Sequence, residues 1–367
     1  MKTPIKRIHF TVTNELSYDQ RMIRICTSLA QNGYSVCLVG RHKKGAPPLL
    51  PRPFQQKRLR VWFGKGKLFY IEYNIRLFFF LLFQRTDIIA AIDLDTIMPV
   101  WLVSFLRRKE RLYDAHELFC EMQEIVSRPA IYSIWKKIER LTVPAFKKGY
   151  TVNQPIADAF KEMYGVSYAV IRNLPVLLPL DETPLSAQPY FLYQGAVNEG
   201  RSFETLIPAM KKVRYPLWIC GDGNFMNQAR QLVKEHQLED KVLFLGMVTP
   251  EKLPAITRSA FAGITLFSPE GKSNYYSLAN RFFDYVQAGI PQLCVNYPVY
   301  AELNNFAHVA VLTTDIDPDT LSAKLNQLID DPIAYRAIRE NCLKARLVWN
   351  WQEEEKKLLE YYNQHFQ

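Results

Sequence analysis

Short apolar runs alternate with stretches of helical period along most of the chain, the pattern left by parallel sheets covered with helices. Residues 7–13 read as a strand, 18–31 as a helix closed by Asn32 and Gly33, and 34–39 as the next strand, so the chain opens on a βαβ unit. Further strands are expected near 87–92, 111–113, 149–152 and 169–171. The rhythm then stops where Pro175, Pro179, Pro184 and Pro189 fall in a segment with neither period, as in an interdomain linker. A second run begins at Tyr190, with strands FLYQG, PLWICG, KVLFLG and AGITLF, each followed by a helical pattern, and QLCVN after a helix over 277–287. The pattern predicts an α/β protein of two Rossmann-like domains. Residues 1–178 form the first domain, 179–189 a linker and 190–347 the second, followed by 348–367.

Composition agrees with two cores, since 367 residues with 48% hydrophobic content exceed what one core usually serves. The six cysteines, Cys26, Cys37, Cys120, Cys220, Cys294 and Cys342, stand singly, without the paired spacing of a zinc site or a disulfide framework. They read as reduced, buried thiols of a cytoplasmic protein, and Lys6, Arg7 and His9 break the opening apolar run before it could serve as a signal peptide. Two apolar stretches, 68–83 and 88–106, suggest a membrane span. The first carries Glu72 and Arg76 four residues apart and the second Asp93 and Asp95, so neither offers about 18 uncharged apolar residues. They read instead as buried helices and a buried strand, with Asp93 and Asp95 a helix-start and packing feature.

The net charge of +10 sits mostly in one place. From Arg41 to Lys67 the chain carries Arg41, Lys43, Lys44, Arg52, Lys57, Arg58, Arg60, Lys65 and Lys67 and no acid, among four prolines and next to Trp62 and Phe63. This predicts a mobile basic loop with aromatic tips. Such a loop suits anionic lipid head groups at the inner membrane surface or a diphosphate-linked acceptor, and the plainer alternative is a solvated variable loop. Nucleic acid is not an expected partner.

Three strands of the second run end in Gly195, Gly221 and Gly246, where the backbone turns sharply or approaches a ligand beyond the carboxyl ends of the strands. The segment 218–248, WICGDGNFMNQARQLVKEHQLEDKVLFLGMV, resembles the second-domain signature of family 4 glycosyltransferases, in which a Gly-Asp-Gly turn, an amphipathic helix and a V-x-F-x-G strand wall the donor site. The segment 277–293, SLANRFFDYVQAGIPQL, is similar to that family's helix that receives the donor diphosphate. The resemblance implies the two-domain GT-B fold, with the domains facing each other across a cleft and a final helix over 348–367 returning to the first domain. It also implies a nucleotide sugar as donor substrate, with no further cofactor, and a donor wall containing Gly195, Gly221, Gly223 and Met247. Physically, Ser277 is a good N-cap residue, and Leu278, Ala279 and Asn280 would offer N–H groups to the diphosphate at a positive helix end. Arg281 either adds charge there or faces solvent, and Asp284, one turn on, can accept hydrogen bonds from ribose hydroxyls.

Two departures from the family pattern follow. Many members carry two glutamates seven residues apart across this segment. Counting back from Asp284 places Tyr276 where the first would fall, with Glu270 as a substitute acid in the preceding loop. In YQGAVNEGRSFETL, Ala196 stands where the family often has arginine, which leaves Arg201 as the cation for the phosphates. Ser202 and Glu204 mark the helix after it, and Arg201 paired with Glu199 or Glu204 would be only a surface ion pair.

In the first domain YDAHELF, residues 113–119, resembles the family's strand-end histidine beside the transferred sugar. Flanked by Asp114 and Glu117, His116 can be tuned around neutral pH and can donate to a sugar hydroxyl or to charge developing at the reaction centre, or else is structural. Asp19, Arg21 and Glu117 are the acceptor-side candidates, although Asp19 can equally cap a helix. His116, Arg201 and Asp284 are the catalytic candidates. The resemblance implies sugar transfer to a hydroxyl of a glycan or lipid-linked acceptor, in cell-surface polysaccharide synthesis, with retention of configuration and no metal. Rival expectations are a same-fold epimerase or phosphorylase, or a protein that binds sugar nucleotides without turning them over.

Overall fold

The computed structural model describes residues 6–180 and 188–366, so positions 181–187 of the expected linker lie outside the described residues. The chain divides into two units: the described residues of 1–120, 125–173 and 354–367, and those of 121–124 and 174–353.

The first unit is built on β1 (Arg7–Thr11), β2 (Ser35–Arg41), β3 (Gln55–Leu59), β4 (Ile88–Ile92), β5 (Glu110–Ala115), β6 (Gly149–Thr151) and β7 (Ala169–Val170). They pair in parallel in the order β3-β2-β1-β4-β5-β6-β7. The central β4, IIAAI, is buried at every position, as expected of a parallel strand covered on both faces. Helix α1 (Gln20–Gln31) joins β1 to β2 and starts two residues later than its period suggests. The cause is Asp19, whose carboxylate accepts from Met22 N–H at the N-cap.

Two sequence expectations change here. The basic stretch is not wholly a loop, because Gln55–Leu59 pairs with β2 as the edge strand β3. Its polar, cationic residues hid the strand, yet charge on an edge strand is how sheets avoid pairing with other chains. Helix α2 (Gly66–Phe83), expected to be buried, buries one face only through Phe69, Tyr73, Leu77 and Leu81. Helix α3 (Ile97–Leu106) packs against it. Among the described residues no helix is long and apolar enough to cross a membrane.

The second unit contains β8 (Phe191–Gln194), β9 (Leu217–Cys220), β10 (Val242–Gly246), β11 (Ala262–Thr265), β12 (Gln292–Val295) and β13 (Val311–Thr313). All are parallel, in the order β10-β9-β8-β11-β12-β13. Phe191, Tyr193, Leu206, Ile264, Phe282 and Leu293 are among the buried residues of its core. Both units are thus the Rossmann-like α/β sheets that the hydrophobic pattern predicts.

Candidate functional site

In the first unit, the residues just beyond β4 and β5 converge on His116. Asp93 leaves β4 with φ 54° and ψ 176°, a conformation that costs a non-glycine residue about 1–3 kcal/mol. Its N–H donates to the Asp114 carbonyl (2.9 Å), and its Oδ1 accepts from the His116 backbone N–H (2.8 Å). The turn sets Oδ2 3.3 Å from His116 Nδ1. On the other side of the ring, Nε2 lies 3.2 Å from Asp114 Oδ2, within ion-pair reach but not aligned for a hydrogen bond. Asp114, fully buried, is gripped from behind by Arg21 through Nη2 (2.8 Å) and Nε (3.2 Å). Acid, imidazole, acid and guanidinium therefore form one row, and the imidazole end keeps 23% of its surface exposed.

Burial alone would lower the His116 pKa, but the carboxylates of Asp93 and Asp114 outweigh it and carry it up to about 9. The acids therefore tune His116 above neutrality rather than to it, and it is charged at pH 7. Burial likewise pushes Asp93 up against the pull of His116, whereas at Asp114 the Arg21 and His116 charges overcome burial and hold the carboxyl below its usual range. Asp95, partly buried beside the charge of Asp93, rises to about 7 even though the Thr13 hydroxyl donates to it.

A pocket of about 290 Å³ opens on this row, lined by Val12, Thr13, Asn14, Ile92, Asp93, Asp95, His116, Glu117 and Phe119. These residues follow the carboxyl ends of β1, β4 and β5, where open parallel sheets take ligands. Of the acceptor-side candidates, Glu117 lines the pocket. Asp19 caps α1 and accepts from Asn14 Nδ2 (3.3 Å), so it reaches the pocket only through Asn14. Arg21 is corrected: only 3% exposed and spent on Asp114 and the Ile171 carbonyl, it offers nothing to an acceptor. Asp93 and Asp95 are more than a helix start, which their position after an apolar run could not reveal.

In the second unit the loops after β8, β9 and β11 meet. The Gly-Asp-Gly turn packs on the β8 loop through Gly195 N–H to the Cys220 carbonyl (2.9 Å) and Val197 N–H to the Asp222 carbonyl (3.0 Å). Gly221 has φ 151°, and a Cβ there would sit 1.8 Å from the Gly195 carbonyl oxygen, so only glycine fits. Gly221→Ala is expected to destabilise the second unit by about 2–3 kcal/mol, seen as a lower urea midpoint. A midpoint equal to wild type would show that the two loops need no close approach.

Arg201 donates through Nη1 to Asn274 Oδ1 (2.7 Å), and its guanidinium lies 4.6 Å from the Phe267 ring centre. Arg281 also lies over Phe267, at 4.7 Å, and equally over Tyr193. Only 7% exposed, Arg281 does not face solvent. Its Nη1 is 3.4 Å from where a Cβ on Gly195 would stand, and its buried Nε makes no hydrogen bond among the described residues. Asp284 is held by Gln194 Nε2 (2.9 Å), whose own Oε1 accepts from the Thr257 hydroxyl (2.7 Å). These contacts set Arg201, Arg281 and Asp284 about the end of β8.

The helix start differs from expectation. The helix runs Asn280–Ala288 with Ala279 at the N-cap and no side-chain cap. Ser277 instead donates its hydroxyl to the Asn274 carbonyl (2.7 Å). Ala279 N–H is already bonded to Tyr300 Oη (2.9 Å), so it is not a spare donor for a diphosphate. Met247 follows β10 with 66% of its surface exposed, and Gly223 packs under the β8 loop against Val197 and Asn198. Ser202 holds the N-cap position of the helix Phe203–Ala209 at φ 59° but makes no cap bond. The segment 121–124 belongs to this unit as well. Gln123 donates to Glu270 (3.3 Å), and a Cβ on Gly200 would meet Gln123 Oε1 at 2.5 Å.

Residues 181–345, which contain all of this loop cluster except Gln123, match the family model of glycosyl transferases group 1. The chain carries a glycosyltransferase domain. No curated protein matches the chain in sequence. Among solved structures it is similar to sucrose-phosphate synthase from Thermosynechococcus elongatus, with 16% identity over 98% of this chain and 99% of that one and a TM-score of 0.78. WaaG, a glycosyltransferase involved in lipopolysaccharide biosynthesis, is similar at 14% identity over 98% and 100%, with a TM-score of 0.76. Anabaena HepE in complex with UDP and glucose is similar at 12% identity over 97% and 99%, with a TM-score of 0.74. These likenesses show a shared GT-B fold spanning essentially the whole chain.

Proposed function

We propose that this protein transfers a sugar from a nucleotide-sugar donor to a hydroxyl of a glycan or lipid-linked acceptor, with retention of configuration and without a metal, in cell-surface polysaccharide synthesis. The motifs at 218–248 and 277–293 support family 4 within the group. The observation that carries the reading is the pair of arginines on Phe267 at the end of β8, inside the segment that matches the glycosyltransferase group. Two fixed cations beside a backbone stripped of side chains at Gly195 suit the diphosphate of a donor. They would neutralise the charge that builds on it as the glycosidic bond breaks. Asp284 would accept from the ribose. In the first unit, His116, charged at pH 7, would stabilise negative charge or orient a sugar hydroxyl, a role that needs no titration at that pH. The six cysteines, all buried and none in a disulfide among the described residues, suit the reducing cytoplasm, where such donors would be met.

The test is a thermal-shift screen of nucleotide sugars. Because HepE is solved with UDP and with UDP-glucose, uridine donors are the first to try. A ligand at 100 times its Kd should add about 2.7 kcal/mol of stability. Arg201→Met should weaken the best nucleotide about 10- to 100-fold, as loss of a charge-assisted contact implies, while leaving the melting temperature of the free protein nearly unchanged. No stabilisation by any nucleotide, or equal affinity in Arg201→Met, would contradict the site. A donor that is isomerised in the absence of any acceptor would replace transfer with epimerisation.

A further inference from the structure

Helix α2 is apolar on both faces, yet only one face is covered. Phe69, Tyr73, Leu77 and Leu81 pack inward, while Leu68, Ile71, Ile75, Phe79 and Phe83 each keep more than half their surface exposed. Their spacing of three and four residues sets these five in a single stripe along a helix about 27 Å long. The polar side chains beside the stripe, Glu72 and Arg76, neutralise each other at 2.8 Å. Glu72 also accepts from the backbone N–H groups of Trp62 (2.9 Å) and Phe63 (3.0 Å), which pins the aromatic end of the basic stretch onto α2. Trp62 lies over Arg76, 4.5 Å from the guanidinium, and stays 86% exposed. At the far end, Arg107 donates to the Leu81 carbonyl (3.0 Å), bringing the exposed Phe105 and Leu106 of α3 beside the end of α2. An exposed apolar band of this extent is rarely left to water.

We infer that this stripe docks the first unit onto an anionic lipid surface, with α2 lying in the plane of the head groups rather than crossing the bilayer. The charge around it selects the occupant. Arg60, Lys65 and Lys67 stand exposed near one end of α2, and Arg85 and Arg108 near the other. With cations at both ends, two copies of this chain paired through α2 in either direction would set like charges against each other, whereas anionic head groups complement both ends. The basic loop takes a smaller part than its composition suggests. Arg58 is held by Glu15, by the Ser17 hydroxyl (2.9 Å) and by the Pro47 carbonyl (2.7 Å), so it is not free to meet lipid. The docking goes beyond the proposed activity and does not depend on donor chemistry.

The experiment is co-sedimentation of the whole protein with phosphatidylglycerol–phosphatidylcholine vesicles and with pure phosphatidylcholine vesicles, alongside light scattering of the free protein. Wild type should bind the anionic vesicles at low salt and lose them as salt rises. Ile71→Ser, Ile75→Ser and Phe79→Ser combined should reduce binding at least about tenfold. Lys65→Glu, Lys67→Glu and Arg85→Glu combined should do the same without touching the apolar stripe, and this exposed set guards against misfolding of the first. Wild type that ignores anionic vesicles overturns the inference, as does binding unaffected by either set or equal binding to uncharged vesicles. A wild-type dimer that the serine set dissociates would assign the stripe to a second copy and overturn it as well.

Discussion

Replacing His116 with alanine should lower turnover about 10²- to 10³-fold while leaving nucleotide affinity within about twofold of wild type. The imidazole belongs to the first unit and the arginines that would hold the diphosphate to the second, so a loss confined to the rate is its signature. The pH profile adds a readout that a packing role would not produce. With its pKa carried up to about 9 by Asp93 and Asp114, His116 is charged at every lower pH, and wild-type activity should fall as pH rises through about 9. His116→Ala should lack that limb. Stability follows with the same sign. A folded-state pKa raised above the unfolded value of about 6.5 contributes fully below pH 6.5 and is lost as pH rises through about 9. The stability difference between wild type and His116→Ala should therefore shrink over that window. Unchanged turnover with a flat comparison would make His116 a structural residue.

Arg21→Met should be the most damaging single change to the fold, costing about 3–5 kcal/mol, because it leaves Asp114 as a buried carboxylate without its main partner. Methionine fills much of the same volume, so the cost isolates the charge. For a unit of this size the loss corresponds to a fall in melting temperature of about 10 °C. Asp114 also sets the sign with pH. A carboxyl held below its usual range by Arg21 and His116 gives stability above its unfolded pKa, and that stability is lost as pH falls through the folded value. The Arg21→Met deficit should therefore narrow in acid. A melting temperature within about 2 °C of wild type would show that Asp114 does not need Arg21.

The parts of the fold that were legible in the sequence are those fixed by period and by local chemistry. β1, α1 and β2 follow from alternation, helical spacing and the Asn32-Gly33 stop. β4 reads directly because a strand buried on both faces is apolar throughout. Strand β3 was not legible, since an edge strand carries the charged residues that mark loops. The exposure of α2 could not be foreseen either, because Ile71, Ile75 and Phe79 carry the same apolar signal whether covered or bare. In the site, Gly221 announced itself through the Gly-Asp-Gly spacing. Asp93 and Asp95 looked like a helix start because their convergence on His116 depends on pairing between β4 and β5. Arg281 could not be oriented from its helix alone, and Gln194 and Gln123 gave no local signal. Their roles rest on contacts with residues some 90 and 147 positions away. Ser277 misled for the opposite reason: it is a good capping residue, but Asn274 competes for its hydroxyl and the helix begins later.

The most direct test of sugar transfer is nucleoside diphosphate release from the best-stabilising nucleotide sugar, measured with and without a pool of glycan and lipid-linked acceptors. The proposed function predicts release that requires acceptor, matches the glycosylated product mole for mole, and falls at least about tenfold in Arg201→Met at subsaturating donor. Release that is absent in every combination, or that proceeds at the same rate without acceptor, would contradict it.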